Sequence, residues 1–328
     1  MILALLLFAA LAALLPLCWG PGNHLEFAHR VLRRRRERLP REVVTLIEQE
    51  RPAFLYGNLA ADIINFKTIG GHYNHCHRWT IVEAMRELAT TRTQEAFILG
   101  YLAHLAADTI AHNHFVPYHL ARYARTRGLG HLYWEMNADR FVPEERWEVI
   151  GALKADKDLD QLDDLVHRTV PRKALSMGTN KLIFNHVLLV SEREQWRRGM
   201  ARIHPLSQLT LKKGFLDLFR DAAVERIFLA LRPGGIEQLA HVDTNGHAAQ
   251  KKALALRSKV VHRWAPGRMR QEESEEMAAC FLEGMQCPPP LIARDQLPHW
   301  HGAPPPRSAR RRLLRPQART PDGAAGVG

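Results

Sequence analysis

Cysteine is scarce in these 328 residues: Cys18, Cys76, Cys280 and Cys287 are the full set. None forms a close Cys-x-x-Cys pair, so neither a zinc ribbon nor a disulfide framework is implied. A Cys280–Cys287 bridge stays open for an exported chain. Alternation of apolar and polar residues at strand spacing is missing, and so is any internal repeat, which leaves a helical body. The apolar run Met1–Cys18 falls short of the about 20 residues that a bilayer-spanning helix needs. It suits a secretory signal, although no Lys or Arg precedes it and Pro16 with Cys18 make a poor small-residue cleavage site. Left uncleaved it is an N-terminal anchor, and Arg33–Arg36 just downstream then favour a cytoplasmic body.

What is present is enough to build a core. With 46% hydrophobic residues the chain is globular over most of its length. The net charge of +12 invites a partner with phosphates, either nucleic acid or an anionic membrane surface. Part of that charge sits in the tail, where seven Lys/Arg face two Asp/Glu from Pro288 onward. The runs Pro288–Pro290, Pro304–Pro306 and Arg310–Arg312 mark residues 288–328 as disordered, so the basicity is weak support for nucleic acid.

The body reads as successive helices. Arg41–Glu50 places Val43, Val44 and Ile47 between charges, Ile81–Leu88 repeats the rhythm, and Ala96–Ala111 is a strongly apolar helix. Gly57-Asn58, Gly70-Gly71 and Gly128–Gly130 punctuate them, and Pro117 is expected to close the third. Further helices are expected around Asp160–His167, Thr179–Met200, Leu206–Leu231 and Ile236–Trp264. The expected organisation is a signal or anchor (1–18), a histidine-rich core that carries the chemistry (19–150), a helical continuation of the same domain (151–287) and the tail (288–328).

Chemistry concentrates between His24 and His131, which hold ten of the eighteen histidines. Two histidine–carboxylate pairs stand at helical spacing, His104-Leu-Ala-Ala-Asp108 and His131-Leu-Tyr-Trp-Glu135, with His112 one turn past Asp108. Residues four apart on a helix lie about 40° round the axis, so His104, Asp108 and His112 form one stripe. Imidazole and carboxylate are zinc ligands, and a second helix bringing His131 and Glu135 opposite completes a cage. Of the other histidines, His29 and His119 read as structural and His72 as solvent-facing. Tyr73, Trp79, Tyr133 and Trp134 line the cleft or shield it. Arg33–Arg36 form a solvated helix face or a site for phosphate headgroups.

The ordered series Trp19-Gly-Pro-Gly-Asn-His24, Tyr56-Gly-Asn-Leu-Ala-Ala-Asp62, His77-Arg-Trp79, Gly100 to His112, and His131-x-x-x-Glu135 resembles the zinc-dependent phospholipase C family. That family includes bacterial phospholipases C and the catalytic domain of glycosylphosphatidylinositol-specific phospholipase D, and its metal cluster is similar to that of single-strand-specific zinc nucleases. The resemblance covers about residues 19 to 140. It implies an all-α, multi-helix bundle with a multinuclear zinc site between helices, holding two to three Zn2+.

Carried over residue by residue, the resemblance implies that His77, His104, Asp62 and Asp108 surround one zinc. Asp108 bridges to a second, held by His24 and by the amino group and carbonyl of Trp19 once cleavage exposes them. A third takes His131, Glu135 and a histidine just after Asp108. The bacterial phospholipases set that histidine six residues on, the place of His114; an unbroken helix favours His112 instead. His75 is an alternative to His77. Asp62 is expected to orient or deprotonate the attacking water as well as to ligate. The implied activity is zinc-dependent hydrolysis of a phospholipid or another phosphodiester, by an exported protein (periplasmic, envelope or secreted) that contacts an anionic membrane surface peripherally. No protein partner is implied. A single-strand nuclease and a zinc-binding member with little turnover are the alternatives.

Overall fold

The computed structural model describes residues 19–64, 76–123, 133–135, 137–170, 173–185, 211–262 and 267–293. Among them are thirteen α-helices and no strand, as the all-α reading expects. The first is α1 (Pro21–Arg38), followed by α2 (Arg41–Gln49), α3 (Arg51–Ala60), α4 (Trp79–Leu88) and α5 (Arg92–Ile110). A π-helical turn, Ala111–Phe115, joins α5 to α6 (Val116–Tyr123). Then come α7 (Glu144–Ala155), a 3-10 segment (Lys157–Leu162), α8 (Asp163–Thr169) and α9 (Met177–Ile183). Last are α10 (Lys213–Ala230), α11 (Gly235–Leu239), α12 (His247–His262) and α13 (Gly267–Ala279).

The rod α5–π–α6 is the axis. Thr91 caps its start, its hydroxyl accepting from the Gln94 amide. From Ala96 to Ile110 only Leu99 is not fully buried, because helices pack on every side of it. On one side α3 crosses so closely that a Cβ on Gly57 would stand 2.1 Å from the Phe97 carbonyl oxygen, and one on Gly100 2.1 Å from that of Phe54. Gly57 is therefore a contact inside a helix and not the turn expected from sequence. On the other side α10 packs against α5, with Phe219 edge-on to Phe115 at 5.3 Å. Helices α12 and α13 cover α6.

Pro117 does not end the rod either. It sits in the first turn of α6, where a missing N–H is tolerated. The wider π turn in front of it bonds the Val116 amide to the Ala111 carbonyl and so absorbs the ring without a break. The expected helix Ile236–Trp264 is likewise two helices, α11 and α12, with a structured turn between them. Residues 1–18, 65–75, 124–132, 136, 171–172, 186–210, 263–266 and 294–328 lie outside the described set, and with them the expected signal or anchor, Gly70-Gly71, His72, Tyr73, His75, Gly128–Gly130, His131, most of the helix expected over Thr179–Met200, the start of that expected over Leu206–Leu231 and most of the tail. No helix among the described residues is long and apolar enough to cross a membrane. Cys76, Cys280 and Cys287 are free thiols.

Candidate metal centre

Five of the predicted ligands meet around one point. Asp108, fully buried on α5, receives three imidazoles: His77 Nε2 at 3.1 Å, His104 Nε2 at 3.2 Å and His24 Nε2 at 3.4 Å. Asp62 closes the group, 3.4 Å from His77 Nε2 and 3.9 Å from His104 Nε2. Four different segments supply them. His24 comes from the first turn of α1, Asp62 from just past the end of α3, His77 from just before α4, and His104 and Asp108 from one face of α5.

Each is fixed by its own local chemistry. The close crossing at Gly57 and Gly100 brings α3 within reach of His104 one turn further along, and its Nδ1–H donates to the Asn58 carbonyl at 2.8 Å. That carbonyl belongs to the last turn of α3, where the helix leaves acceptors unused. With Nδ1 protonated, Nε2 presents its lone pair to the cluster. The His24 ring stacks on His104 at 3.7 Å, nearly parallel. Its helix is capped from afar: Asp139 accepts from the Asn23 amide at 3.0 Å and the Asn23 side chain at 2.6 Å, and the buried Arg220 donates to Asn23 Oδ1 at 2.9 Å. Burial pushes the Asp139 carboxyl up to about 6, against the pull of the Asn23 donors. Cys76 Sγ lies 3.3 Å from His77 Nδ1.

The donor set suits a divalent cation. Both oxygens of Asp108 and both ring nitrogens of His24 are buried and form no hydrogen bond of good geometry, an arrangement that costs free energy unless a cation claims them. Burial, then the neighbouring His104, lowers His24 to about 4, so its ring is neutral and able to ligate at neutral pH. Burial alone would raise the Asp108 carboxyl, but His104, with His24 and His77 also facing it, holds it well below its usual range. The residues close enough to share an ion form two overlapping sets, His24–Asp62–His104 and His77–His104–Asp108.

The other predicted ligands sit apart from these two sets. His112 is buried on the π turn, its Nδ1 3.3 Å from the Gln250 side-chain nitrogen. His114 faces elsewhere and donates from Nδ1 to the Phe281 carbonyl at 2.8 Å. Glu135 is buried, and His131 lies outside the described residues. Trp19 is buried beside the cluster, its indole N–H donating to the Ala107 carbonyl at 3.2 Å and its ring stacked on Phe115 at 4.6 Å. Trp79 and Trp134 are packing residues: the first donates to the Val242 carbonyl, the second lies tilted against His119 with ring centroids 4.1 Å apart. His119 is structural, bonded from Nδ1 to the Phe115 carbonyl at 2.7 Å. Arg34 pairs with Glu225, Arg35 and Arg36 with Glu48, and the largely exposed Arg33 reaches Glu26 at 3.9 Å.

The braces Asp139, Arg220 and Gln250 carry no local signal in the sequence. A groove of about 630 Å3 lies between α2, α4 and the start of α5, lined by Arg41, Leu46, Arg86, Arg92 and Ile98. It shares no residue with the cluster.

The family model described as zinc-dependent phospholipase C matches residues 23–184. No curated protein and no solved structure matches the chain. The matched segment contains every described residue of the two metal-ready sets and ends before α10.

Proposed function

We propose that this chain, whose residues 23–184 match the family model of zinc-dependent phospholipase C, is a zinc-dependent phosphodiester hydrolase acting on phospholipids. The observation that carries the proposal is the fully buried Asp108 carboxylate with three imidazole Nε2 atoms turned toward it at 3.1–3.4 Å. Neutral imidazoles with carboxylates are a donor set for zinc. His77, His104 and Asp62 would hold one ion and His24 another, with Asp108 shared between them. Trp19 would add its main chain to the second if processing exposes it. His112, His131 and Glu135 would hold a third. Bound zinc supplies Lewis-acid charge for the phosphodiester oxygens and acidifies a water toward neutral pH.

The protein's part is positioning and proton control. Asp62 is the least covered of the five, at 7% exposure against 0% for Asp108, so its carboxylate orients the attacking water and takes its proton. His104, held by the Asn58 carbonyl, keeps its lone pair directed inward, and the Trp19 indole fixes α5 one residue before Asp108. Beside His24, the buried rings of Trp19, Phe27 and Phe115 pack on one another. Export and contact with an anionic membrane surface complete the reading; they rest on residues 1–18 and on the chain's positive charge.

Zinc-reconstituted protein assayed against phosphatidylcholine, phosphatidylinositol, a chromogenic phosphodiester and single-stranded DNA tests this. Release of phosphorylated headgroup from lipid, abolished by chelation, is expected. Cleavage of DNA alone would reassign the site as a nuclease, and zinc uptake without turnover on any substrate would reduce it to a binding site.

A further inference from the structure

We propose that residues 242–250, beyond the family-matched segment, form a positioning strap for the metal centre. The inference rests on His77 and His112 being ligands, as proposed above. The strap is the end of the turn between α11 and α12 together with the first turn of α12, and it bridges the two places where those histidines enter.

Toward His77 it makes two bonds. The Thr244 hydroxyl donates to the His77 carbonyl, and the Val242 carbonyl accepts from the Trp79 indole N–H at 3.0 Å. These grip the chain on both sides of Arg78, the residue just before α4. Toward His112 it makes three contacts. The Asp243 carbonyl accepts from the Asn113 side chain at 2.7 Å, and the Gln250 amide lies 3.3 Å from His112 Nδ1 while also donating to the Asn245 carbonyl at 3.0 Å. Gly246 lies directly against the π turn: a Cβ there would stand 1.9 Å from the His112 carbonyl oxygen.

The strap is rigid in its own right. The Asp243 carboxylate accepts from the Asn245 amide and the His247 amide, both at 3.0 Å, which folds the turn and caps α12. Gly246 takes φ +55°, a conformation that favours glycine. The seam between the strap and His77–Thr80 encloses a void of only about 10 Å3, so it is packed contact and not a ligand pocket. A metal-binding imidazole needs an outer partner to set its orientation, and losing one typically weakens metal affinity about 10–100-fold. Here that outer support comes from a part of the chain that carries no ligand.

The test uses the full chain with Thr244→Val, Thr244→Ser and Gln250→Leu. Zinc content is measured by elemental analysis, zinc affinity by competition with a chromogenic chelator, and unfolding of the metal-free protein by thermal melt. The strap predicts that Thr244→Val and Gln250→Leu each weaken zinc binding about 10-fold, that Thr244→Ser restores it, and that the metal-free melts stay close to wild type. Equal zinc affinity in wild type and variants, or loss of affinity only in step with a destabilised metal-free fold, would overturn the strap and leave the metal centre standing. A wild-type chain that takes up no zinc would overturn the metal centre and the strap together.

Discussion

His104 and His112 stand about two turns apart on one continuous rod, and the chain braces them by different means. His104 sits in regular α-helix, and its outer nitrogen donates to a backbone carbonyl of the neighbouring helix. Backbone support of that kind survives any side-chain change that leaves α3 and α5 in contact. His112 sits on a π turn, and its outer nitrogen meets a side chain 138 residues further along. The first arrangement is written into the crossing of two glycines, whereas the second depends on a distant turn folding correctly. The inner cluster is therefore robustly braced, and the position around His112 is the adjustable one.

The most severe way to break the comparison is to remove what the inner imidazoles share. Asp108→Asn leaves the shape but takes away the charge that three Nε2 atoms face. A neutral amide neither bridges two cations nor offsets their repulsion. Bound zinc should fall by at least about one equivalent and phosphodiester hydrolysis by more than about 100-fold, read by elemental analysis and a chromogenic substrate. Full zinc content with unchanged turnover would show that the inner cluster is not organised around Asp108.

The outer position breaks more gently. His112→Ala should lose about one equivalent of zinc and most activity while the inner ions stay, because a ligand matters more than the about 10–100-fold typical of an outer partner. His114→Ala should keep both, since that ring is committed to the Phe281 carbonyl. The reverse ranking would mean that the turn rearranges on binding metal and presents His114 instead.

The difference between the two positions also separates what the sequence discloses from what it hides. Helical spacing puts His104, Asp108 and His112 on one stripe, and the ordered motifs bring in His24, Asp62 and His77; His24, Asp62, His77, His104 and Asp108 lie together in the fold, while His112 lies outside that group on the π turn. Local composition misled at three points. Gly57-Asn58 reads as a turn, yet the missing side chain serves helix contact. Pro117 reads as a stop, yet a π turn absorbs it. Asp243-Thr244-Asn245-Gly246 lies inside an apparently continuous helix, although Asp, Asn and Gly in succession are a turn signal. Asp139 capping α1, Arg220 binding Asn23 and Gln250 reaching His112 join residues more than a hundred positions apart. No local pattern in one chain reveals such pairs.

A change in the bracing of His104 sharpens the contrast without touching a ligand. Gly57→Ala forces a methyl to within 2.1 Å of the Phe97 carbonyl oxygen, and neither backbone can yield without separating α3 from α5. Overpacking of this kind costs about 1–3 kcal/mol, visible as a lower denaturant midpoint at unchanged slope. Because the Asn58 carbonyl moves with α3, zinc affinity should fall as well. A stable variant with unaltered zinc binding would show that His104 does not depend on the crossing.

The smallest expected effect concerns a histidine on the same rod that binds nothing. His119 lies beyond the π turn among Phe115, Trp134 and Phe219, where burial lowers it to about 3. The unfolded chain takes up a proton at this ring below pH 6.5 and the native chain does not. Stability contributed by the neutral ring is thus complete above pH 6.5 and declines as the medium is acidified toward pH 3, by about 1.4 kcal/mol per pH unit. His119→Phe removes that dependence but also the bond to the Phe115 carbonyl, which is worth about 1 kcal/mol. Urea melts of the metal-free chain from pH 7 to pH 4 should therefore show the variant slightly less stable at pH 7 and losing about one proton's worth less on acidification. His24, buried in both proteins, contributes equally to the two curves and cancels in their difference. Parallel curves would mean that His119 is already protonated in the fold, and that the aromatic cluster beyond the π turn admits water.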